Sequence, residues 1–120
     1  MESTGFRDHV GLTVVESEGD DVVTVALDAD ERHLNAHGSV HGGAIATLCD
    51  VAMGAAVFTG DNAPVTIEMK VTYLEPVPPG RVLATAKVRR RGSRVTIVET
   101  DVTDVDGASV AHAIATFTTL

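Results

Sequence analysis

Apolar and polar residues alternate along most of this 120-residue chain, and a period of two predicts strands. The alternation begins at Val10, Leu12 and Val14 and resumes over residues 22–28. Between them Ser17, Glu18, Gly19, Asp20 and Asp21 have a turn composition, so the two segments predict a hairpin. The clearest run is Val65, Ile67, Met69, Val71 and Tyr73, interleaved with Thr66, Glu68, Lys70 and Thr72. Residues 75–80 contain Pro76, Pro78 and Pro79 and end it, because proline has no ladder donor. Val82, Ala84, Ala86 and Val88 predict the next strand, and residues 89–94 a turn. Residues 95–105 predict another strand, whose alternation slips near Ile97 and Val98 as at a bulge. Asp106-Gly107 signals a tight turn, and residues 108–119 close the chain as a last strand. Residues 2–8 suffice for one short helical turn.

One stretch breaks this pattern. Residues 30–40 have no clean period and carry His33, Asn35, His37, Gly38 and Ser39, which predicts a loop. Residues 41–58 are apolar and Ala-rich, with Gly60-Asp61-Asn62 as a stop, which predicts a helix. Small residues stand on nearly every side of it (Ala44, Ala46, Ala52, Gly54, Ala55, Ala56), the mark of a helix buried all round. The expected order is hairpin, helix, then four strands in a meander. The fold class is α+β, a six-stranded antiparallel sheet curled around one central helix, with residues 1–120 forming a single domain.

Composition adds limits. The net charge of -8 argues against nucleic-acid partners, since phosphate contact needs a basic face. The single Cys49 excludes an internal disulfide and fits a reducing, cytoplasmic setting. The first ten residues lack the basic start and apolar core of a signal peptide. Residues 41–60 are apolar enough to suggest a membrane span, but a central Asp, four Gly and strand-rich surroundings oppose it.

The candidate chemistry sits in and before the helix. Gly42-Gly43 leaves the first helical N–H groups open to a ligand oxygen at the positive end of the dipole. Equally, two glycines can simply turn the chain tightly against the sheet. Asp50 is the one charge between His41 and Gly60. It reads as a general base or nucleophile, or as a buried carboxylate satisfied by backbone or Thr hydroxyls. Eight helical residues separate Gly42 from Asp50, about 12 Å along the axis. A carbonyl held by one and a water held by the other must lie within about 5 Å. One helix cannot serve both ends of a single reaction, whereas two antiparallel copies can, so a site using both features lies across a two-fold interface. His33, His37 and His41 are spaced by four, but the glycines make this segment a loop and no other ligand completes a metal set. Cys49 reads as a small core residue. Arg89 to Arg94 is the one basic cluster, either a solvated hairpin tip or an anion clamp.

Asn35-Ala36-His37-Gly38-Ser39-Val40-His41-Gly42-Gly43, followed by Asp50, Ala52 and Gly54, resembles the signature of hotdog-fold acyl-CoA thioesterases of the phenylacetic-acid-degradation (PaaI-like) type. The likeness continues through residues 64–76, Arg91-Gly92-Ser93-Arg94 and residues 107–116. It implies hydrolysis of an aryl- or medium-chain acyl-CoA, with coenzyme A entering only as part of the substrate and with no metal or other cofactor. It implies that the Gly42 N–H polarises the thioester carbonyl and that Asn35 assists in positioning it. Asp50 of the other subunit would activate water or attack, and Thr66 would hold that water. His41 and Gly43 would support the substrate-binding loop, and Arg91 and Arg94 would meet the nucleotide phosphates. Dimers, often paired into tetramers, are implied as well. Aryl-CoA branches that carry Glu at the acid differ from Asp50 here. A non-catalytic acyl-CoA-binding or sensing module on the same fold is the alternative. A hydratase-type hotdog enzyme would call for an Asp/His pair at a spacing absent from the chain.

Overall fold

The computed structural model describes residues 5–18 and 21–120. A short helix α1 (Gly5–Val10) leads into strands β1 (Leu12–Glu18) and β2 (Val22–Ala29). A 3-10 turn (Glu31–His33) and a loop precede helix α2 (Gly42–Val57). Strands β3 (Pro64–Tyr73), β4 (Gly80–Arg91), β5 (Thr96–Thr103) and β6 (Ser109–Thr119) follow. The expected helical turn over residues 2–8 and the turn over residues 17–21 fall partly outside the described residues. Val10 belongs to α1 rather than to the first strand.

All six strands form one antiparallel sheet, in the order β1-β2-β4-β5-β6-β3. This is the hotdog fold. Only β4, β5 and β6 follow each other as a meander. The expected four-strand meander fails at its first step, because β3 pairs with β6 at the far edge and β4 inserts beside β2. The physical reason is the proline-rich link, which carries no tight turn. It runs beside the loop instead, where Val77 is buried and its carbonyl accepts from the Val40 N–H at 2.7 Å.

Helix α2 lies on the inner face of the sheet. Ile45, Leu48, Cys49, Ala52, Met53, Ala56 and Val57 are buried at the i, i+3, i+4 spacing of one helical stripe. The floor beneath is made of small residues, Ala84 and Ala86 on β4 and Ala111, Ala113 and Ala115 on β6, which admit the helix closely. The opposite stripe, including Ala46, Asp50, Val51, Gly54 and Ala55, is only half-buried in a single chain. The helix is therefore not enclosed on all sides, and Ala on both stripes is what disguised the asymmetry.

Bulges decide which side chains face α2. On β3 the register shifts between Thr66 and Glu68, so Ile67 is the extra residue. Thr66 pairs with the buried Phe117, and after the bulge Met69, Val71 and Tyr73 pair with the buried Ala115, Ala113 and Ala111. An even-numbered residue and three odd-numbered ones thus share the helix side. Val65 and Ile67, which the apolar alternation groups with Met69, Val71 and Tyr73, are 39% and 54% exposed. On β4 the shift between Val88 and Arg90 makes Arg89 the extra residue, opposite Val98 and Ile97. The slip expected near Ile97-Val98 is thus present in the β4–β5 ladder but carried by the other strand, while β5 alternates cleanly. The residues expected as an 89–94 turn run as strand through Arg91, and the turn is closed by the Gly92 N–H on the Val95 carbonyl. No helix among the described residues is long and apolar enough to cross a membrane.

Candidate active site

The loop before α2 is held by its own side chains. Asn35 Oδ1 accepts from the backbone N–H of His37 (2.9 Å) and of Ser39 (3.2 Å). Two donors on one atom settle which end of the carboxamide is the oxygen. The Nδ2 donors are then left facing away from the turn. His33 is buried, accepts the Asp30 N–H at Nδ1 (3.0 Å), and so carries its proton on Nε2, which donates to the Val10 carbonyl (2.7 Å). Both of its ring nitrogens serve backbone groups.

His41 is the N-cap of α2, and its Nδ1 accepts from the Gly43 N–H at 2.8 Å. The Ala44 and Ile45 N–H groups turn back to the His41 carbonyl. Among the described residues the Gly42 N–H has no partner. It stands at the positive end of a 16-residue helix, the geometry of an oxyanion donor. Asn35, Gly42, Ile45, Tyr73, Leu74 and Val77 line an open cleft of about 510 Å³ around it. A second cleft of about 470 Å³ lies past His41 and Gly43, beneath Phe6 and Arg32. His41 and Gly43 line this second cleft but not the first.

Asp50 lines neither cleft. It lies in the middle of α2 on the half-buried stripe, and Thr66 Oγ1 donates to its Oδ1 at 2.5 Å. Thr66, assigned by resemblance to a water, thus grips the carboxylate itself. One oxygen of Asp50 is thereby fixed in direction. Eight residues of regular helix separate Asp50 from Gly42, about 12 Å along the axis. Asn35, His41, Gly42 and Gly43 are therefore brought together, as are Asp50 and Thr66, and the two groups stand apart within one chain.

Arg91 and Arg94 lie at the other end of the helix. The Arg91 guanidinium donates to the carbonyls of Ala56 (2.9 Å) and Val57 (3.1 Å) and pairs with Asp21 (3.0 Å). It caps the C-terminus of α2, whose last turn carries no basic residue of its own. The bulge at Arg89 turns it inward. Arg94 is exposed at the hairpin tip, its carbonyl held by Thr118 Oγ1 at 2.9 Å. Burial, and then the adjacent Asp50 carboxylate, push the Cys49 thiol up to about 12, so it stays protonated and unreactive near neutral pH.

Two participants escaped the sequence reading. Tyr73 donates its hydroxyl to the Gly42 carbonyl at 2.7 Å, and Asp21 holds Arg91. Tyr73 alternates in step with Met69 and Val71 in the sequence itself; what the linear pattern does not show is that its hydroxyl reaches the Gly42 carbonyl.

Residues 37–111, which span the Gly42 donor, Asp50, Thr66, Tyr73 and Arg91, match the family model described as Thioesterase superfamily. The chain belongs to the thioesterase superfamily. Within it the relatives are PaaI-like. The chain is 31% identical over 112 residues to Acyl-coenzyme A thioesterase PaaI of Escherichia coli, covering 92% of this chain and 79% of that protein. It is 30% identical over 106 residues to human Acyl-coenzyme A thioesterase 13, covering 86% of this chain and 76% of that protein. Among solved structures, the conserved protein PA5202 from Pseudomonas aeruginosa superposes with a TM-score of 0.91 at 34% identity, covering 98% of this chain and 95% of that one. The superfamily thus accounts for a thioester hydrolase built on a hotdog sheet.

Proposed function

We propose that this thioesterase hydrolyses acyl-CoA, an aryl- or medium-chain acyl group being the substrate, at sites shared between two copies of the chain. The observation that carries the reading is the separation within α2: an unpartnered Gly42 N–H at its start and a Thr66-held carboxylate about 12 Å further on. Two further features support pairing. Strand β3 is a sheet edge bearing exposed Val65, Ile67 and Tyr73, and the helix stripe around Asp50 is half-covered. The same pairing extended to a second pair gives the tetramer implied by the resemblance. The lone, protonated Cys49 supports a cytoplasmic setting.

In this scheme the thioester carbonyl oxygen accepts from the Gly42 N–H, and Asn35 Nδ2 donates nearby. Asp50 of the partner subunit takes a proton from water as its oxygen attacks the carbonyl carbon. The electron pair moves onto the carbonyl oxygen, where the helix start stabilises it. Collapse breaks the carbon–sulfur bond, and the CoA thiolate takes the proton from Asp50, leaving the free acid and the thiol. A direct attack by the carboxylate gives a mixed anhydride instead, and incorporation of labelled solvent oxygen into Asp50 marks that course. Arg94, exposed at the β4–β5 tip, is offered to the nucleotide phosphates, with Arg91 anchoring that tip to the helix end.

The test is thiol release over an acyl-CoA panel, followed by subunit mixing. Asn35→Ala and Asp50→Ala are each expected to be nearly inactive and still paired. Mixed after dissociation, they should regain about a quarter of the wild-type sites, because only mixed dimers hold one complete site. Proven exchange without recovered activity refutes the shared site.

A further inference from the structure

We infer that Tyr73 is a positioning residue that fixes the Gly42 donor in the direction of the substrate oxygen. The inference rests on the reading of Gly42 as the group that polarises the thioester.

A Gly-Gly start is the loosest way to begin a helix, since neither residue has a side chain to restrict its dihedral angles. The peptide unit between Gly42 and Gly43 is nevertheless tied at both ends. Its N–H donates to His41 Nδ1 at 2.8 Å, and its carbonyl accepts from the Tyr73 hydroxyl at 2.7 Å. The two bonds come from different elements, the cap and the end of β3. They fix the plane of that unit and, through Gly42, the direction of the preceding N–H, the one left without a partner. A backbone carbonyl can only accept, so the Tyr73 proton has one assignment. Burial against the helix, with the neighbouring Cys49 as a lesser cause, moves the phenol up from its ordinary range, so this proton is kept across neutral pH.

The Tyr73 ring also packs closely on residue 42, where any side chain would push it by a few tenths of an ångström. A Cβ there would stand 3.3 Å from both Cζ and Oη of Tyr73. Ring and glycine fit each other, and the ring forms one wall of the 510 Å³ cleft. The bulge at Ile67 allows one strand to hold both functional groups, Thr66 on Asp50 and Tyr73 on Gly42.

The experiment compares wild type with Tyr73→Phe, which keeps the ring and removes the donor. Steady-state hydrolysis of an acyl-CoA is measured first. The infrared band of a ¹³C-labelled ketone analogue, with CH2 in place of the thioester sulfur, is then recorded bound to each protein. In Tyr73→Phe we expect kcat to fall about tenfold, less than for loss of a whole oxyanion donor. KM should stay within about twofold. The bound carbonyl band should be displaced to lower frequency in wild type and return part-way toward its solution position in the variant. Tyr73→Leu, which also removes the ring, should return it at least as far; circular dichroism of both variants confirms the fold. A displaced band in wild type that is unchanged in both variants overturns the role of Tyr73 and leaves the Gly42 reading intact. An undisplaced band in wild type overturns the Gly42 reading, and the inference with it.

Discussion

Arg91 offers the most direct test of how the sheet holds its helix. Replacing it with Met keeps the aliphatic stem and removes, among the described residues, its contacts to the carbonyls of Ala56 and Val57 and the carboxylate of Asp21. The Arg91 side chain is 33% exposed and Asp21 59%, so the ion pair itself contributes less than about 1 kcal/mol. Hydrogen bonds from a charged donor contribute about 1.5–3 kcal/mol each, and partial exposure argues for the lower end. The attraction of a cation to the helix C-terminus arises from the same carbonyls and is not added again. The expected loss for Arg91→Met is therefore about 2–3 kcal/mol, which for a domain of this size lowers Tm by roughly 10 °C. Arg91→Lys, which cannot span two carbonyls and a carboxylate, should lose about half as much. Asp21→Asn should lose under about 1 kcal/mol. Urea and thermal melts at one fixed protein concentration measure all three, and KM for an acyl-CoA well below the melting range should move less than about threefold. A fully stable Arg91→Met whose KM rises tenfold would refute the capping role and restore Arg91 to the phosphates.

Two further predictions concern α2. Thr66→Val removes the donor on Asp50 Oδ1 while keeping the shape; kcat should fall roughly tenfold, with Thr66→Ser restoring most of it, and an unchanged kcat would separate Thr66 from the chemistry. Folded Cys49 keeps its proton up to about 12 against an ordinary value of 9.0, whereas the unfolded chain ionises near that value. Stability should therefore decline as pH rises from 9 to 12, and Cys49→Ala should flatten that part of the slope in denaturant titrations; an identical slope would refute the shift.

Much of this architecture is legible in the linear sequence. The helix expected over residues 41–58 is observed as Gly42–Val57, with His41 and Phe58 as its caps. Its polar loop and lone carboxylate are visible because each interrupts a strong local pattern. Strand order is not legible, since period-two alternation says that Pro64–Tyr73 is a strand but not which strand it pairs with. Facing direction is lost for a different reason. Val65 and Ile67 suit a strand on either side of the sheet, and one extra residue reverses the parity without altering composition. Arg91 is hidden for that cause: it lies beyond a bulge, and an Arg near a turn looks like surface in a one-dimensional pattern, whereas Tyr73 alternates in step with Met69 and Val71 and only its hydrogen bond to Gly42 goes unseen.

The two bulges behave as frameshifts. Along β3 and β4 the choice between the helix side and solvent is written in residue count, and a substitution cannot rewrite a count. Any side chain placed at residue 66 or 91 still points at α2. Deleting residue 67 or 89 removes the bulge itself and returns the strand to strict alternation, with Thr66 and Tyr73, or Val88 and Arg91, still on the helix side; inserting one residue between a bulge and Tyr73 or Arg91 instead puts that side chain out of phase and sends it to the outer surface. This sheet should therefore tolerate many exchanges of chemistry at those strands, and the loss of a bulge residue, but few insertions beyond the bulges.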